Sequence, residues 1–331
     1  MFTRPDEISD ASVIAALRDG WQVDAVAVDY LTAGFGSHHW VAHAADQTRW
    51  FLTVDNLATK SFLGGSPSAA FDALRDAFAT AHALQSCGLE WVVGPCVGTH
   101  DQLLSWLDPA FSIAVFPYVQ GVAPAAYDRD SERAGVVDLL AELHQCTDQV
   151  ATQARRETFA LPNRTDLEAA IASVQIRWTG GPYAEPARAL LAQHVNGVRA
   201  CLADYDRHAQ EALREPSGWT ITHGEPHSAN VLRTDRGLRL IDWDTALIAP
   251  PERDLWMLVP GAADPLARRY TAATGRTVEE PLIRLYALWW DLCEVGVYLA
   301  TFRARHTDSE DSAEAWRSLQ HFIRACERTP S

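Results

Sequence analysis

The run Ile221-Thr222-His223-Gly224-Glu225-Pro226-His227-Ser228-Ala229-Asn230-Val231-Leu232 sets a carboxylate, Glu225, five residues before an amide, Asn230. Twelve residues beyond the amide, Leu240-Ile241-Asp242-Trp243-Asp244 carries a second carboxylate, Asp242, at the end of an apolar run. Phosphoryl transfer asks for this inventory. One carboxylate orients an acceptor hydroxyl, while an amide oxygen and another carboxylate hold the magnesium that neutralises a triphosphate. Glu225, Asn230 and Asp242 fit those roles in that order. Two other readings are weaker. His223 and His227 flank Glu225 and could suggest zinc, but histidines four apart share a metal only on a helix, which Gly224 and Pro226 break. Asp242-Trp243-Asp244 alone could be an exposed turn after a strand, but its spacing from the first motif argues against that.

Such loops need elements to hold them. Short apolar runs at Trp219–Thr222 and Leu238–Ile241 flank the motif and read as strands. Upstream, Ala25–Leu31, His39–Ala44 and Trp50–Val54 form an antiparallel meander around Thr32-Ala33-Gly34-Phe35-Gly36-Ser37 and a turn at Asp46-Gln47. An amphipathic run at 8–19 ends at Gly20 and predicts a first helix. Ala-rich Ser66–Leu84 predicts the main helix of this region, and Leu89–Val97 and Phe111–Val119 predict further strands. After Gln120-Gly121 the pattern turns helical, over Ser131–Cys146 and over 165–175, 186–214, 264–274, 280–305 and 311–327. Strands followed by helices give an α+β class. We expect an antiparallel β-sheet N-lobe with one main helix, residues 1–119, and a larger, mostly helical C-lobe, residues 120–331.

Composition narrows the partners. Hydrophobic residues at 47% and charged residues at 21% belong to a globular chain, and 331 residues suffice for two domains or two lobes. With 43 acidic residues against 28 basic ones, the net charge of −15 repels nucleic-acid backbones and anionic lipid and attracts cationic small molecules. Lys60 is the single lysine, so any role that requires one has one candidate. Cys87, Cys96, Cys146, Cys201, Cys293 and Cys326 are scattered, with no C-x-x-C pair, as free thiols in a reducing compartment would be. No apolar leader and no long apolar run is present, so the expected location is the cytoplasm.

The two motifs together resemble the signature of the aminoglycoside phosphotransferase family of the protein-kinase-like fold, H-G-D-x-x-x-x-N and then an apolar strand ending in I-D-[WF]-[DE]. The run Ala249-Pro250-Pro251-Glu252-Arg253-Asp254-Leu255 looks like the spectinomycin phosphotransferase branch. This resemblance implies a bilobal kinase-like enzyme that uses ATP (or GTP) and Mg2+ to phosphorylate a hydroxyl of an aminoglycoside or aminocyclitol, with a spectinomycin-like acceptor favoured. It implies that Glu225 is the catalytic base, that His223 supports the catalytic loop and that Asn230 and Asp242 bind magnesium. Asp254 then braces the loop without touching substrate. Gly34, Phe35, Gly36 and Ser37 become a hairpin over the phosphates, as in protein kinases. Pro117, Tyr118 and Val119 fall in the lobe connector, where backbone groups meet the adenine edge. Leu139-Leu140-Ala141-Glu142-Leu143-His144 resembles the family's L-A-x-L-H helix, which makes His144 structural. No G-x-x-x-x-G-K-[ST] occurs, so a Walker-type loop is excluded.

The sequence departs from the family pattern twice. Glu225 replaces the usual Asp, keeping the carboxylate one methylene further out. The third strand reads Phe51-Leu52-Thr53, with Thr53 where the family carries its phosphate-binding lysine. Lys60, in the loop before the helix, is the one lysine that could replace it; an arginine, or magnesium with backbone donors, could serve instead. Trp289-Trp290-Asp291-Leu292-Cys293-Glu294 lies on a late helix with Tyr298 one turn on. Trp289, Asp291 and Glu294 suit a cationic, polyhydroxylated acceptor; a solvated acidic face beside core tryptophans is the alternative. Kinases of choline- or homoserine-like metabolites remain open. So does a non-catalytic, kinase-like ligand-binding protein, which Glu225 and Thr53 favour and Asn230 and Asp242 oppose.

Overall fold

Ser9 caps the first helix, α1 (Asp10–Trp21), by accepting the Ser12 N–H at 3.1 Å, in a computed structural model that describes residues 3–328 except 35, 61, 128, 215 and 217. Strands β1 (Ala25–Leu31), β2 (His38–Ala44) and β3 (Arg49–Asn56) follow, then α2 (Pro67–Ser86), β4 (Ser105–Trp106) and β5 (Phe111–Pro117). Ser66 caps α2 through the Ala69 N–H, and Pro67, which lacks a donor, occupies its first turn. The strands form one antiparallel sheet in the order β1-β2-β3-β5-β4.

Alternation along the strands gives the sheet two covered faces. Trp40, Ala42, Leu52, Val54, Ile113 and Val115 pack with Val13, Leu17 and Trp21 of α1. Ala114 and Phe116 pack on the other side with Ala70, Ala73, Leu74 and Phe78 of α2. The sheet therefore has a helix on each face, α2 being the longer. Thr53 and Asp55 alternate with Leu52 and Val54, so they point away from α1.

The chain continues through α3 (Asp130–Gln145), α4 (Thr147–Val150), α5 (Arg164–Ala172) and α6 (Ala184–Arg214). Two small antiparallel pairs follow: β6 (Thr220–Thr222) with β9 (Leu247–Ala249), and between them β7 (Val231–Thr234) with β8 (Gly237–Leu240). Then come α7 (Glu252–Leu255), α8 (Pro265–Thr274), α9 (Glu280–Arg303) and α10 (Glu310–Arg328). Residues 1–157 and 218–278 make one compact unit, and residues 158–217 and 279–331 make another. The first unit holds the large sheet, α3 packed on α8, and both small sheets. In the second, α6, α9 and α10 pack on one another, with α5 on α9, around Leu191, Val198, Leu292, Leu299, Phe302 and Leu319.

One predicted strand is absent. Leu89–Val97 is a turn and an extended connector rather than a strand. Val92 forms a single bridge to Leu240, the Val93 N–H reaches the Leu240 carbonyl at 3.0 Å, and the Cys96 N–H reaches the Val115 carbonyl at 2.7 Å. Gly94 and Pro95 interrupt the run, and a proline cannot donate to a ladder. No helix among the described residues is long and apolar enough to cross a membrane.

Candidate active site

Glu225 sits on a turn that leaves β6, and buried groups fix that turn from several sides. Asp254, on α7 and fully buried, accepts the His223 N–H at 3.0 Å and the Gly224 N–H at 2.5 Å. Its Oδ2 also bonds His144 Nε2 at 2.9 Å, and His144 Nδ1 meets the Tyr270 hydroxyl at 2.7 Å. Burial would raise the Asp254 carboxyl, but its hydrogen bond with His144 and the nearby His223 and Arg253 hold it below the usual range. Asp254 thus ties two consecutive backbone amides of the Glu225 turn to α3 and α8, and His144 is one of its struts.

His223 reads as a spacer with a defined tautomer. Nε2 lies 2.9 Å from the Ile241 carbonyl, which can only accept, and Nδ1 lies 3.1 Å from the Glu225 N–H, which can only donate. The ring is therefore neutral with its proton on Nε2. Burial pushes its pKa down to about 4 despite the pull of Asp254. Both nitrogens are spent on backbone, which leaves none for a metal. Through this ring residue 225 is held at a fixed reach from residue 241, next to Asp242.

Arg253, one residue before the brace, lies beneath the same turn with 6% of its surface exposed. It donates to Thr222 Oγ1 and to the Thr245 carbonyl, each at 3.0 Å, and its Nε is 3.7 Å from Glu157. Gly224 adopts φ 102°, and a Cβ there would fall 2.4–2.5 Å from the Arg253 guanidinium. The glycine is required twice, by conformation and by the arginine below it. Thr245 Oγ1 donates to the His223 carbonyl at 2.8 Å, and the Tyr127 hydroxyl donates to the Pro226 carbonyl at 2.6 Å. Arg253, Thr245 and Tyr127 were not singled out as site residues, although Arg253 and Thr245 lie inside or beside the quoted motifs.

The Glu225 carboxylate keeps 27% of its surface open. Although desolvation would raise its pKa, the nearby His227, whose Nε2 is 3.8 Å from Oε2, together with His223 and Arg253, holds it below the usual range. Asn230 Nδ2 donates to the Glu225 carbonyl at 3.0 Å, which turns its amide oxygen away as a free acceptor for a cation. Asp242 adopts φ 68°, which is uncommon outside glycine. Its conformation is held by neighbours: the Ile241 N–H bonds the Asn230 carbonyl at 3.0 Å, and Trp243 Nε1 bonds the Leu240 carbonyl at 3.0 Å. Asp242 keeps exposed surface but stands among protein atoms. That desolvation, with the charges of Asp244 and Glu225, pushes its carboxyl well above the usual range, against the pull of Lys60.

An amide oxygen beside carboxylates that repel one another suits a hard dication. No group of three or more His, Cys, Asp or Glu among the described residues is set to hold a metal by itself. Magnesium ordinarily takes one or two carboxylates and completes its shell with phosphates and water. Asn230 and Asp242 fit that pattern.

On the large sheet, Gly34 and Gly36 take φ 65° and 94° in the β1–β2 loop; Phe35 lies outside the described residues. Lys60 is 4% exposed. Its Nζ pairs with Asp55 Oδ1 at 2.8 Å and donates to Asp244 Oδ2 at 3.0 Å and Ser37 Oγ at 2.9 Å. Burial opposes its charge, but Asp55 and Asp244 outweigh that and hold the ammonium above its ordinary pKa. Thr53 pairs with His39 on β2 and Ala114 on β5. His39, against Gly34 and 5.0 Å from the Phe51 ring, is driven by burial to a pKa of about 4 despite Asp55. Pro117 ends β5, Arg49 stacks 3.9 Å over the Tyr118 ring, and Val119 is half-buried.

The structure therefore brings Glu225, His223, Asn230, Asp242, Asp254, Ser37 and Lys60 into one linked set within the first unit. Trp289, Asp291 and Glu294 belong to α9 of the second unit. There the Tyr298 hydroxyl donates to Glu294 Oε2 at 2.6 Å, and Trp289 Nε1 donates to the Ala160 carbonyl at 3.3 Å. Asp55, Asp244 and His227 join the site without having been assigned to it from sequence.

Comparison with known proteins agrees with this chemistry. The sequence pattern described as "Phosphotransferase enzyme family" matches residues 31–294. Protein StrN of Streptomyces griseus is 29% identical over 251 residues, covering 72% of this chain and 74% of StrN. Among solved structures, spectinomycin phosphotransferase APH(9)-Ia with ADP and spectinomycin superposes with a TM-score of 0.74 at 14% identity, over 98% of this chain and 100% of that one. The choline kinase LicA from Streptococcus pneumoniae gives 0.58 at 12% identity, over 95% and 98%. These likenesses show the protein-kinase-like α+β fold, an antiparallel-sheet N-terminal lobe followed by a helical region.

Proposed function

Because the chain belongs to the phosphotransferase enzyme family, we propose that it moves the γ-phosphate of ATP or GTP to a hydroxyl of a cationic aminocyclitol or aminoglycoside, with a spectinomycin-like acceptor favoured. In this reading residues 1–119 form the nucleotide lobe and residues 120–331 the catalytic and acceptor lobe. The observation that carries it is the tie between Glu225 and residue 241: one neutral imidazole spans the base and the segment bearing Asp242.

Glu225, ionised, accepts a hydrogen bond from the acceptor hydroxyl and takes its proton as the oxygen attacks the γ-phosphorus. The bond from that phosphorus to the β–γ bridging oxygen breaks, and the nucleoside diphosphate leaves. The Asn230 amide oxygen and the Asp242 carboxylate would hold magnesium, which when bound neutralises charge on the phosphates. Ser37, with Gly34 and Gly36, covers the phosphates, and Lys60 contacts them. The backbone at Pro117, Tyr118 and Val119 meets the base. Asp254 and His223 keep the turn in place. Catalysis here is largely positioning and electrostatics, so the longer Glu225 can serve where the family usually has Asp.

The acidic surface supports a cationic acceptor, and Trp289, Asp291 and Glu294 on α9 supply rings and carboxylates for it. A panel of aminocyclitols, aminoglycosides, choline and homoserine, incubated with radiolabelled ATP or GTP, tests the proposal. Mass gain of one phosphoryl group on an aminocyclitol supports it, while gain on choline or homoserine alone moves the protein to metabolite kinases. Glu225→Gln should cut kcat strongly at unchanged nucleotide affinity, and Glu225→Asp should keep measurable turnover. Equal turnover in wild type and Glu225→Gln would remove the base role.

A further inference from the structure

Protein kinases set their phosphate-binding lysine on the third strand and pair it with a glutamate on the following helix. Both members are missing here. Thr53 occupies the strand position, and α2 contains no glutamate. Its two acidic residues, Asp72 and Asp76, are exposed and engaged by Arg75. Within the same first unit, however, a lysine–carboxylate pair does exist, with its partners exchanged between elements. The carboxylate is on the strand, at Asp55, and the ammonium comes from the β3–α2 loop, at Lys60, 2.8 Å away.

We propose that Asp55 and Lys60 replace the strand-lysine and helix-glutamate pair, with Lys60 as the phosphate ligand and Asp55 as its positioning residue; this rests on the kinase reading above. Three observations carry the assignment. Thr53 and Asp55 project from the same face of β3, so a lysine at 53 and a lysine held by Asp55 serve the same volume. Lys60 is bonded directly to Ser37 of the glycine loop and to Asp244, two residues from the magnesium candidate Asp242. Asp55 is 1% exposed, and its second oxygen, Oδ2, has no hydrogen-bond partner among the described residues.

That bare oxygen decides which contact is permanent. A buried carboxylate compensated by one ammonium cannot release it cheaply. An ammonium has three donors, and Asp55, Asp244 and Ser37 already occupy them. An arriving phosphate must displace one acceptor. Ser37 is the uncharged one and the weakest, and its hydroxyl also donates to Asp55 Oδ1 at 2.7 Å, so it keeps a partner when it lets go. Phosphate binding is thereby coupled to the glycine loop through a single atom.

The test measures binding of Mg·ATP and Mg·GTP by calorimetry, separately from turnover. Failure of the wild type to bind either nucleotide would remove the kinase reading itself. With wild-type binding established, Lys60→Met should lose at least tenfold in affinity, and adding Thr53→Lys should bring it back to within threefold. Wild-type affinity in Lys60→Met overturns the proposal, as does a folded double variant that binds no better than the single one. Asp55→Asn, nearly isosteric, covers the case in which Lys60→Met does not fold. At least a fivefold rise in nucleotide KM, with kcat and acceptor KM little changed, supports the positioning role. An unchanged nucleotide KM overturns it.

Discussion

Asp242 sits at φ 68°, a conformation that Asp and Asn enter at lower cost than other non-glycine residues. Asp242→Asn therefore keeps the backbone while deleting the charge. Its carboxyl is raised by desolvation and by Asp244 and Glu225. A folded pKa above the unfolded one means that ionisation costs stability as pH rises through the folded value. At neutral pH the variant should thus unfold at the same or a higher temperature while kcat falls by about 10²–10³ or more; calorimetry and turnover on one preparation check both. His39 gives the opposite sign. Its folded pKa of about 4 lies below 6.5, so the unfolded chain takes up the proton first and stability falls as pH drops from 6.5 towards 4. Relative to His39→Gln, the wild type should lose at most roughly 3 kcal/mol across that window and nothing above it, read from urea titrations at stepped pH. The spacing that groups Glu225, Asn230 and Asp242 was legible in sequence because it is local. Asp55 was not, because its partner lies across a loop and nothing in Val54-Asp55-Asn56 marks it.

At the scale of elements, the Glu225 turn is a joint between β6 and α7 with Arg253 filling its underside. Arg253→Met should leave Thr222 and the Thr245 carbonyl short of a donor, lowering stability by about 2–4 kcal/mol. Gly224→Ala meets both the φ of 102° and the guanidinium, and should lower stability by about 1–3 kcal/mol with a larger loss in kcat than in nucleotide affinity. Thermal unfolding and steady-state kinetics on both variants check this, and wild-type kcat in Gly224→Ala would show that the turn tolerates movement. Long periodic elements were readable: α2, α3, α6, α9 and α10 each fall within a few residues of their sequence bounds, because one buried stripe sets each. Leu89–Val97 misled because apolar content resembles a strand when Gly94 and Pro95 are read as part of the run. The three- and four-residue strands β7 and β9 are too short to show a period.

At the scale of the molecule, the net charge of −15 acts on every approaching ion. Shortening the Debye length from about 10 Å at 0.1 M salt to about 3 Å at 1 M should raise KM for a cationic acceptor and lower it for the nucleotide. Equal salt response of the two constants would show that the charge serves solubility alone. The run of strands followed by helices made the α+β class legible. The grouping of 158–217 with 279–331 was not, since amphipathic helices carry the same pattern whichever core they join.

The single lysine has a practical consequence for chemical handling of the protein. To amine-directed dyes and linkers Lys60, 4% exposed and held charged by two carboxylates, is shielded from acylation. Conjugation under mild conditions should leave this side chain untagged. A tag on Lys60 would then count the molecules in which the Asp55–Lys60 pocket has come apart, so peptide mass spectrometry after brief labelling becomes a direct assay of local opening.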